Sequence, residues 1–191
     1  NTENRAGMVA FWPHFFTTMF FDALIGNTDR HQENWAFLEK NIRENYRQRI
    51  GKTVIPVEVD VTEIVRIAPI YDNGSSLGRE LSDANVDELL QDQKRLNAYV
   101  DRGKSELHWD GQKISHFQFI RNLLQSPYDQ EVRKAAEFLN HWEEEKISEC
   151  INLVDESVPA DKREYRIPIQ RKSLIFKILT LRAQKLRELL S

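Results

Sequence analysis

The segment LIGNTDRHQENW, residues 24–35, contains six consecutive ionisable or amide side chains, at positions 29–34. It follows an intensely apolar stretch, and a short strand is predicted directly after it, so the polar run lies between two core elements. Polar groups in such a position need hydrogen-bond partners, because an unsatisfied buried donor or acceptor costs free energy. We therefore expect that the function of the protein requires these polar side chains.

The apolar stretch before this segment, MVAFWPHFFTTMFFDALI at residues 8–25, is just long enough to raise the question of a transmembrane helix. Pro13, His14 and Asp22 interrupt it, and a charge near the end of an isolated membrane span is unfavourable. A helix that a soluble domain buries on most sides is predicted instead. We expect Pro13 either to open or to kink this helix and Gly26 to end it in a left-handed conformation.

The composition limits the class of protein. The chain has 191 residues, of which 40% are hydrophobic, and this is enough to bury a substantial core. Its 27 basic and 30 acidic residues give a net charge of -3, so it lacks the basic excess of nucleic-acid-binding proteins. Cys150 is the single cysteine, and no signal peptide is visible, so a reducing cytoplasmic location is expected.

A hairpin or small sheet is predicted after the polar loop. Residues 35–39 read as a short strand and residues 40–52 as a charged excursion. Apolar and polar side chains alternate at 57–62, which predicts a strand, and a second β-branched run follows at 64–70. The insertion at 40–61 either extends the hairpin or contacts a partner, and a decorated hairpin without a separate function is the preferred interpretation.

The remainder of the chain reads as helical. Ser82 or Asp83 is expected to cap the first of these helices. Four helices are predicted, at residues 84–99, 116–124, 129–154 and 170–190. The fold class is therefore predicted to be mainly α with a small β-hairpin or sheet.

Three oxygen-bearing side chains form a pattern that suits phosphoryl transfer. Asp29 and Asn34 are arranged as D-x-x-x-x-N, and Asp72 follows a β-branched run. Phosphoryl transfer needs a carboxylate that orients the attacking hydroxyl, together with an amide oxygen and a second carboxylate that hold magnesium. The spacing alone is common by chance. Each residue has an ordinary alternative, since Asp29 and Asn34 could be turn or capping residues and D-N-G at Asp72 is a strong turn signal.

Two blocks of sequence make the pattern more specific. GNTDRHQENW at 26–35 and APIYDNGSSLG at 68–78 together resemble the catalytic and metal-binding segments of HipA-like serine/threonine kinases. These enzymes are related in fold to the phosphatidylinositol 3- and 4-kinases. The resemblance implies that residues 1–191 form the C-terminal lobe of such a kinase. The catalytic loop and metal-binding hairpin would then lie at 21–78 and a helical subdomain at 82–191.

The resemblance also implies roles for individual residues, with ATP and Mg²⁺ as cofactors. Asp29 would be the catalytic base, and Asn34 and Asp72 would bind the nucleotide through magnesium. His31 would act as a structural or transition-state-supporting residue of the loop. Arg30 is expected to form an ordinary surface ion pair with Glu33 or a nearby carboxylate.

The other histidines have no metal-like spacing and are treated as structural. These are His14, His108, His116 and His141.

The parts of a kinase N-terminal lobe are missing from this sequence. It has no glycine-rich loop and no strand that carries a phosphate-pairing lysine. We expect that lobe to lie upstream in the full-length chain and expect these 191 residues alone to be inactive.

By resemblance, the phosphate acceptor is a protein hydroxyl. A small DNA-binding antitoxin is a further implied partner, as in a toxin–antitoxin pair. We expect no direct nucleic-acid binding by this lobe, and no basic run supports a lipid acceptor or membrane binding.

Two other functions stay open from sequence. A pseudokinase or binding scaffold would keep the kinase fold without catalysis, although all three oxygen-bearing residues are present. A metal-dependent phosphoesterase is the second alternative. The block here reads G-N-T-D, however, and no additional clustered histidines are present to build a two-metal site.

Overall fold

The computed structural model of the protein describes residues 3–50 and 53–191. The helices in these ranges are α1 (Glu3–Ile25), α2 (Asp83–Gln91), α3 (Gln93–Arg102), α4 (His116–Leu124), α5 (Asp129–Ala135), α6 (Glu144–Leu153) and α7 (Ile169–Leu190). The strands are β1 (Phe37–Ile50), β2 (Thr53–Ile67), β3 (Lys104–Trp109) and β4 (Gln112–Ser115). Short 3₁₀ helices occur at Gln32–Asn34, Glu137–His141 and Ala160–Tyr165. The prediction of a mainly α fold with a small sheet is confirmed.

The first hairpin is longer and more regular than the sequence suggested. β1 and β2 pair antiparallel from Phe37 opposite Ile67 to Ile50 opposite Thr53. The prediction of a charged excursion is wrong for residues 40–50, which belong to β1, and residues 51 and 52 lie outside the described ranges. The two β-branched runs also form one strand. Pairing with β2 supplies backbone hydrogen bonds to β1, and cross-strand context of this kind outweighs the low strand propensity of charged residues.

The helix predicted at 84–99 is broken in the structure. α2 ends at Gln91, and the side chain of Asp92 then accepts hydrogen bonds from the backbone N–H groups of Lys94 and Arg95. Asp92 is therefore an N-cap, and a fresh helix begins directly after it. Ser82 caps α2 in the same way, as one of the two expected residues. α4 has the predicted bounds.

The helix predicted at 129–154 is also broken, into α5, a 3₁₀ helix and α6. The backbone is extended at Trp142, where the 3₁₀ helix ends. Arg187 of α7 donates two hydrogen bonds to the backbone carbonyl of Leu139, at 2.7 and 3.2 Å. The backbone N–H of Trp142 also donates to this carbonyl, at 3.3 Å, so Arg187 adds a tertiary contact to the end of the 3₁₀ helix.

A second hairpin, β3–β4, was not predicted. Its turn contains Asp110 with φ of 48° and Gly111 with φ of 76°. Asp-Gly is a strong signal for a tight hairpin turn because both positions need positive φ. The signal is present in the sequence, but the surrounding strands are short.

The core forms where α1 packs against α4, α5 and α7. Gly26 has φ of 70° and ends α1 as predicted, whereas Pro13 lies inside α1 and does not begin it. None of the described helices combines the length and the apolarity that are needed to cross a bilayer. The largest fully buried apolar side chains are Phe16, Phe20, Leu96, Ile120, Leu139, Leu174, Ile178, Leu186, Val86 and Val100.

Candidate functional site

The polar loop begins where Gly26 turns the chain away from the end of α1. The next residue, Asn27, is buried and organises the loop with both atoms of its amide. Its oxygen accepts a hydrogen bond from the backbone N–H of Asp29 at 3.2 Å, and its nitrogen donates to the carboxylate of Asp22 at 3.1 Å. Asp29 itself is exposed. The loop therefore presents the Asp29 carboxylate to solvent from an anchored backbone.

Asn34 lies at the other end of the loop, in the 3₁₀ helix Gln32–Asn34. Its side chain is buried, and its nitrogen donates to the backbone carbonyl of Asp29 at 2.6 Å. This local bond is of the kind that a turn or capping asparagine makes, and such a role is compatible with that of a metal ligand. Since the nitrogen is used in this bond, the amide oxygen is the atom that remains to act as a metal ligand.

The segment that carries Asp72 lies alongside this loop. The backbone N–H of Thr28 donates to the carbonyl of Ser75 at 3.2 Å, and the hydroxyl of Tyr71 donates to the carbonyl of Glu33 at 2.6 Å. Asp72 is exposed and has φ of 54°, but Asn73 and Gly74 do not share this positive φ and residues 72–74 do not form a regular turn, so the predicted D-N-G turn is wrong. The structure thus brings together two segments that are distant in sequence, and it gives Asp72 an unusual backbone conformation at the place where they meet.

A serine hydroxyl touches the proposed catalytic carboxylate. Ser75 Oγ donates to Asp29 Oδ2 at 3.4 Å. The next residue, Ser76, directs its hydroxyl to the backbone carbonyl of Asn73 at 2.6 Å. The two serines therefore differ in what they contact, although they are neighbours in the chain.

Arg30 joins the loop, the Asp72 segment and α1. It is 2% exposed, and its Nε and Nη2 atoms donate to the carboxylate of Asp22 at 2.9 and 2.8 Å. Its Nη1 donates to the backbone carbonyl of Tyr71 at 2.6 Å, and Nη2 also donates to Asn73 Oδ1 at 2.5 Å. The residues on both sides of Asp72 are therefore held by one guanidinium.

The expectation that Arg30 forms an ordinary surface ion pair is wrong. Burial of its charge is possible because Asp22 neutralises it and because four hydrogen bonds satisfy the guanidinium. The sequence contained a signal for this pair. Asp22 is the single Asp, Glu, Lys or Arg residue in the apolar stretch 8–25, and a charge buried in a core requires a partner.

His31 is a cap of the short 3₁₀ helix. Its Nδ1 accepts a hydrogen bond from the backbone N–H of Glu33 at 3.3 Å, and the ring is partly buried. This contact gives the ring a structural role in the loop and leaves Nε2 as the atom for any contact with a reacting group. A role in catalysis remains a prediction.

A second buried polar pair lies beneath the loop. His116 Nε2 is 2.7 Å from the backbone carbonyl of Asn27, and Arg182 Nη2 is 3.1 Å from His116 Nδ1. Burial and the charge of Arg182 lower the pKa of His116 to about 4. Burial also lowers the pKa of Arg182 to about 10. The sequence marked His116 as structural, but nothing in the spacing of Arg182 pointed to this site.

The cavity next to the loop is small. It is lined in part by Arg30, Asn34 and Trp35 and has a volume of about 10 Å³, which is room for about one water molecule. This cavity cannot hold a molecule larger than water, whereas the side chains of Asp29 and Asp72 are exposed.

The chemistry of the site suits a hard divalent cation. Carboxylate and amide oxygens are the ligands that Mg²⁺ prefers, and it is commonly held by one or two carboxylates together with nucleotide phosphates. Asn34 and Asp72 supply donors of this kind. Within residues 3–50 and 53–191, no group of three or more His, Cys, Asp or Glu side chains could hold a metal ion.

Comparison with known proteins points to a kinase. The chain is similar to the serine/threonine-protein kinase CtkA of Helicobacter pylori (strain J99), with 30% identity over 109 residues. The match covers 56% of this chain and 28% of CtkA, so the chain spans less than a third of that relative's length. No family model and no solved structure match the chain. A kinase-like relationship is supported to this extent.

Proposed function

We propose that the protein is an ATP- and magnesium-dependent phosphotransferase, a serine/threonine protein kinase of the HipA-like type, and that this chain is its C-terminal lobe. The observation that carries the proposal is the hydrogen-bonded contact between the loop 27–34 and the segment 71–77. If the D-x-x-x-x-N pattern had arisen by chance, nothing would require its loop to lie against the segment that carries Asp72. The similarity to a serine/threonine kinase is independent support.

Asp29 is the proposed catalytic base. Its carboxylate is exposed, while its backbone N–H and carbonyl are both held, by Asn27 and Asn34 respectively. A carboxylate on a fixed backbone can accept the proton of an incoming hydroxyl without reorganising the loop. The acceptor is proposed to be a serine or threonine hydroxyl of a protein.

Asn34 and Asp72 are the proposed ligands of magnesium, and through it of ATP. When bound, the cation neutralises charge on the nucleotide phosphates. The protein's own contribution is to keep the two oxygen donors in place. The hydrogen bond from Asn34 to the Asp29 carbonyl fixes the Asn34 side chain. The hydrogen bonds that Arg30 donates to Tyr71 and Asn73 fix the backbone on both sides of Asp72.

Phosphate transfer by the full-length protein tests the proposal. We expect incorporation of phosphate from ATP into a protein substrate to require Mg²⁺ and to fall on the order of a hundredfold or more in Asp29→Asn. Asp110→Asn is the matched control, because Asp110 is an exposed aspartate in the β3–β4 turn and asparagine tolerates its positive φ. An unchanged rate in Asp29→Asn would refute the assignment of the base.

Other outcomes separate the finer parts of the proposal. Magnesium-dependent ATP binding without transfer would favour the pseudokinase or scaffold. Activity of residues 1–191 alone at the full-length rate would contradict the expectation that an N-terminal lobe is required. An antitoxin partner is implied by the HipA-like type, and co-purification from native cells tests it. A cytoplasmic location, which the single cysteine favours, stays a prediction.

A further inference from the structure

Arg182 of α7 is a buried guanidinium that joins two helix ends. It is 2% exposed. Its Nε donates to the carbonyl of Ala23 at 2.5 Å, and its Nη1 donates to the carbonyl of Val100 at 2.8 Å. These carbonyls lie in the last turns of α1 and α3, where they lack helical partners and carry the negative end of the helix dipole. Arg182 therefore satisfies carbonyls of two helices with a positive charge.

The position of this guanidinium is tightly bounded. A Cβ at Gly26 would lie 3.3 Å from Arg182 Cζ, and a Cβ at Gly103 would lie 3.3 Å from both Arg182 Nη1 and His116 Nδ1. The ring of Phe117 lies 5.0 Å from Arg182 Cζ, within the range of a cation–π contact. The two glycines and the Phe117 ring thus enclose a narrow space that fits a planar guanidinium group. Lysine, with a single point charge, cannot reproduce this fit.

His116 carries the contact from Arg182 to the loop. His116 Nδ1 lies 3.1 Å from Arg182 Nη2, which can only donate, and 3.0 Å from the backbone carbonyl of Gly103, which can only accept. A proton on Nδ1 would satisfy only the Gly103 carbonyl, whereas a proton on Nε2 satisfies both Arg182 and the Asn27 carbonyl, so we assign Nδ1 as the acceptor from Arg182. The proton of the neutral ring then lies on Nε2, which donates to the backbone carbonyl of Asn27 at 2.7 Å. The lowered pKa of His116, about 4, agrees with a neutral ring at pH 7.

Asn27 connects this pair to Asp29. The carbonyl of Asn27 receives the His116 bond, while its side-chain oxygen receives the backbone N–H of Asp29 at 3.2 Å. We propose that Arg182 and His116 are positioning residues, an inference that rests on the proposed function. By holding Asn27 in place, they orient the Asp29 carboxylate for phosphoryl transfer. Neither side chain touches the substrate. Both side chains are buried, whereas Asp29 is exposed.

Two substitutions of His116 separate this role from simple packing. The amide nitrogen of glutamine reaches about as far as Nε2 and can donate to the Asn27 carbonyl, whereas asparagine reaches only about as far as Nδ1. In the full-length protein, we expect His116→Asn to lower kcat for phosphate transfer by about tenfold to a hundredfold, the scale of a small misplacement of a catalytic group. KM for ATP should change much less, and His116→Gln should recover most of kcat.

The contrast between the two variants decides the outcome. Wild-type kcat in His116→Asn would overturn the proposal. Equal losses of kcat and of melting temperature in both variants would also overturn it, because they would show a general packing role without the specific Nε2 bond.

Amide hydrogen exchange gives a readout that does not need activity. The Asp29 N–H is protected by Asn27, so we expect faster exchange over residues 27–31 in His116→Asn and near-wild-type exchange in His116→Gln. Faster exchange supports the positioning role even if wild-type protein transfers no phosphate, a result that would defeat only the proposed function. Unchanged exchange overturns the positioning role even in an active kinase.

The wild-type protein provides a test that survives misfolding of a variant. Nitrogen NMR of the histidine rings distinguishes the two neutral tautomers from the cation. We expect His116 at pH 7 to be neutral with its proton on Nε2. A proton on Nδ1, or a cationic ring, would overturn the bond pattern from which the proposal starts.

Discussion

Asparagine in place of Asp22 would leave the guanidinium of Arg30 without its counter-charge. Both side chains are buried, with 2% exposure for Arg30 and 4% for Asp22, so solvent screens their interaction little. Asparagine has the same shape as aspartate, and its side-chain oxygen can still accept a hydrogen bond from Asn27. Where its amide nitrogen faces Arg30, however, two hydrogen-bond donors oppose each other. Removal of one partner of a buried ion pair costs about 3–5 kcal/mol.

The magnitude can be stated as a shift in melting temperature. For a chain of this size, 1 kcal/mol corresponds to about 2–4 °C, so Asp22→Asn should lower the melting temperature by roughly 6–20 °C. The assay is thermal unfolding followed by circular dichroism, with urea unfolding as the equilibrium check. Because Arg30 also holds Tyr71 and Asn73, phosphate transfer should fall at temperatures where the variant remains folded.

Asp83→Asn is the matched control for this prediction. Asp83 pairs with Arg171 at 2.9 Å, but the Asp83 side chain is 85% exposed. An exposed pair of this kind contributes about 0–1 kcal/mol. If Asp22→Asn destabilises the protein no more than Asp83→Asn does, the reasoning about the buried pair is refuted.

Two further predictions concern pH and the serine beside Asp29. The pKa of His116 is about 4 in the folded protein against 6.5 ordinarily, so as pH falls below about 6.5 the unfolded state binds a proton first. The free energy of unfolding should therefore fall progressively between pH 6.5 and about pH 4, by about 3 kcal/mol in total. In His116→Gln, the free energy of unfolding measured in urea should depend less steeply on pH over the same range. Ser75→Ala removes the hydroxyl that donates to Asp29 and should lower phosphate transfer severalfold, whereas Ser76→Ala should not. Equal rates in the two serine variants would show that the Ser75 contact does not support the carboxylate.

Local features of the structure were the ones that the sequence predicted well. Gly26 ends α1, Ser82 caps α2, and α4 has its predicted bounds, because each depends on residues within a few positions. The break at Asp92 was also local, since aspartate is a good N-cap, but a continuous helical pattern hid it. The break near Leu139 involves a distant residue as well, because Arg187 of α7 donates two hydrogen bonds to the Leu139 carbonyl at the end of the 3₁₀ helix.

The candidate site divides in the same way. Two short blocks of sequence were enough to identify Asp29, Asn34 and Asp72 as candidates. The same blocks indicated the chemistry that their side-chain oxygens can perform. The anchoring by Asn27 and the contact of Ser75 with Asp29 required coordinates.

By itself, the sequence determined the helical class, the polar loop after α1 and the three oxygen-bearing side chains, because backbone propensity and side-chain chemistry are properties of nearby residues. Only the tertiary structure decided that Asp22 neutralises Arg30 and that Arg182 reaches the loop through His116. The reason is physical, since a buried charge requires a partner, but the folded chain alone decides which distant residue comes close enough to provide it.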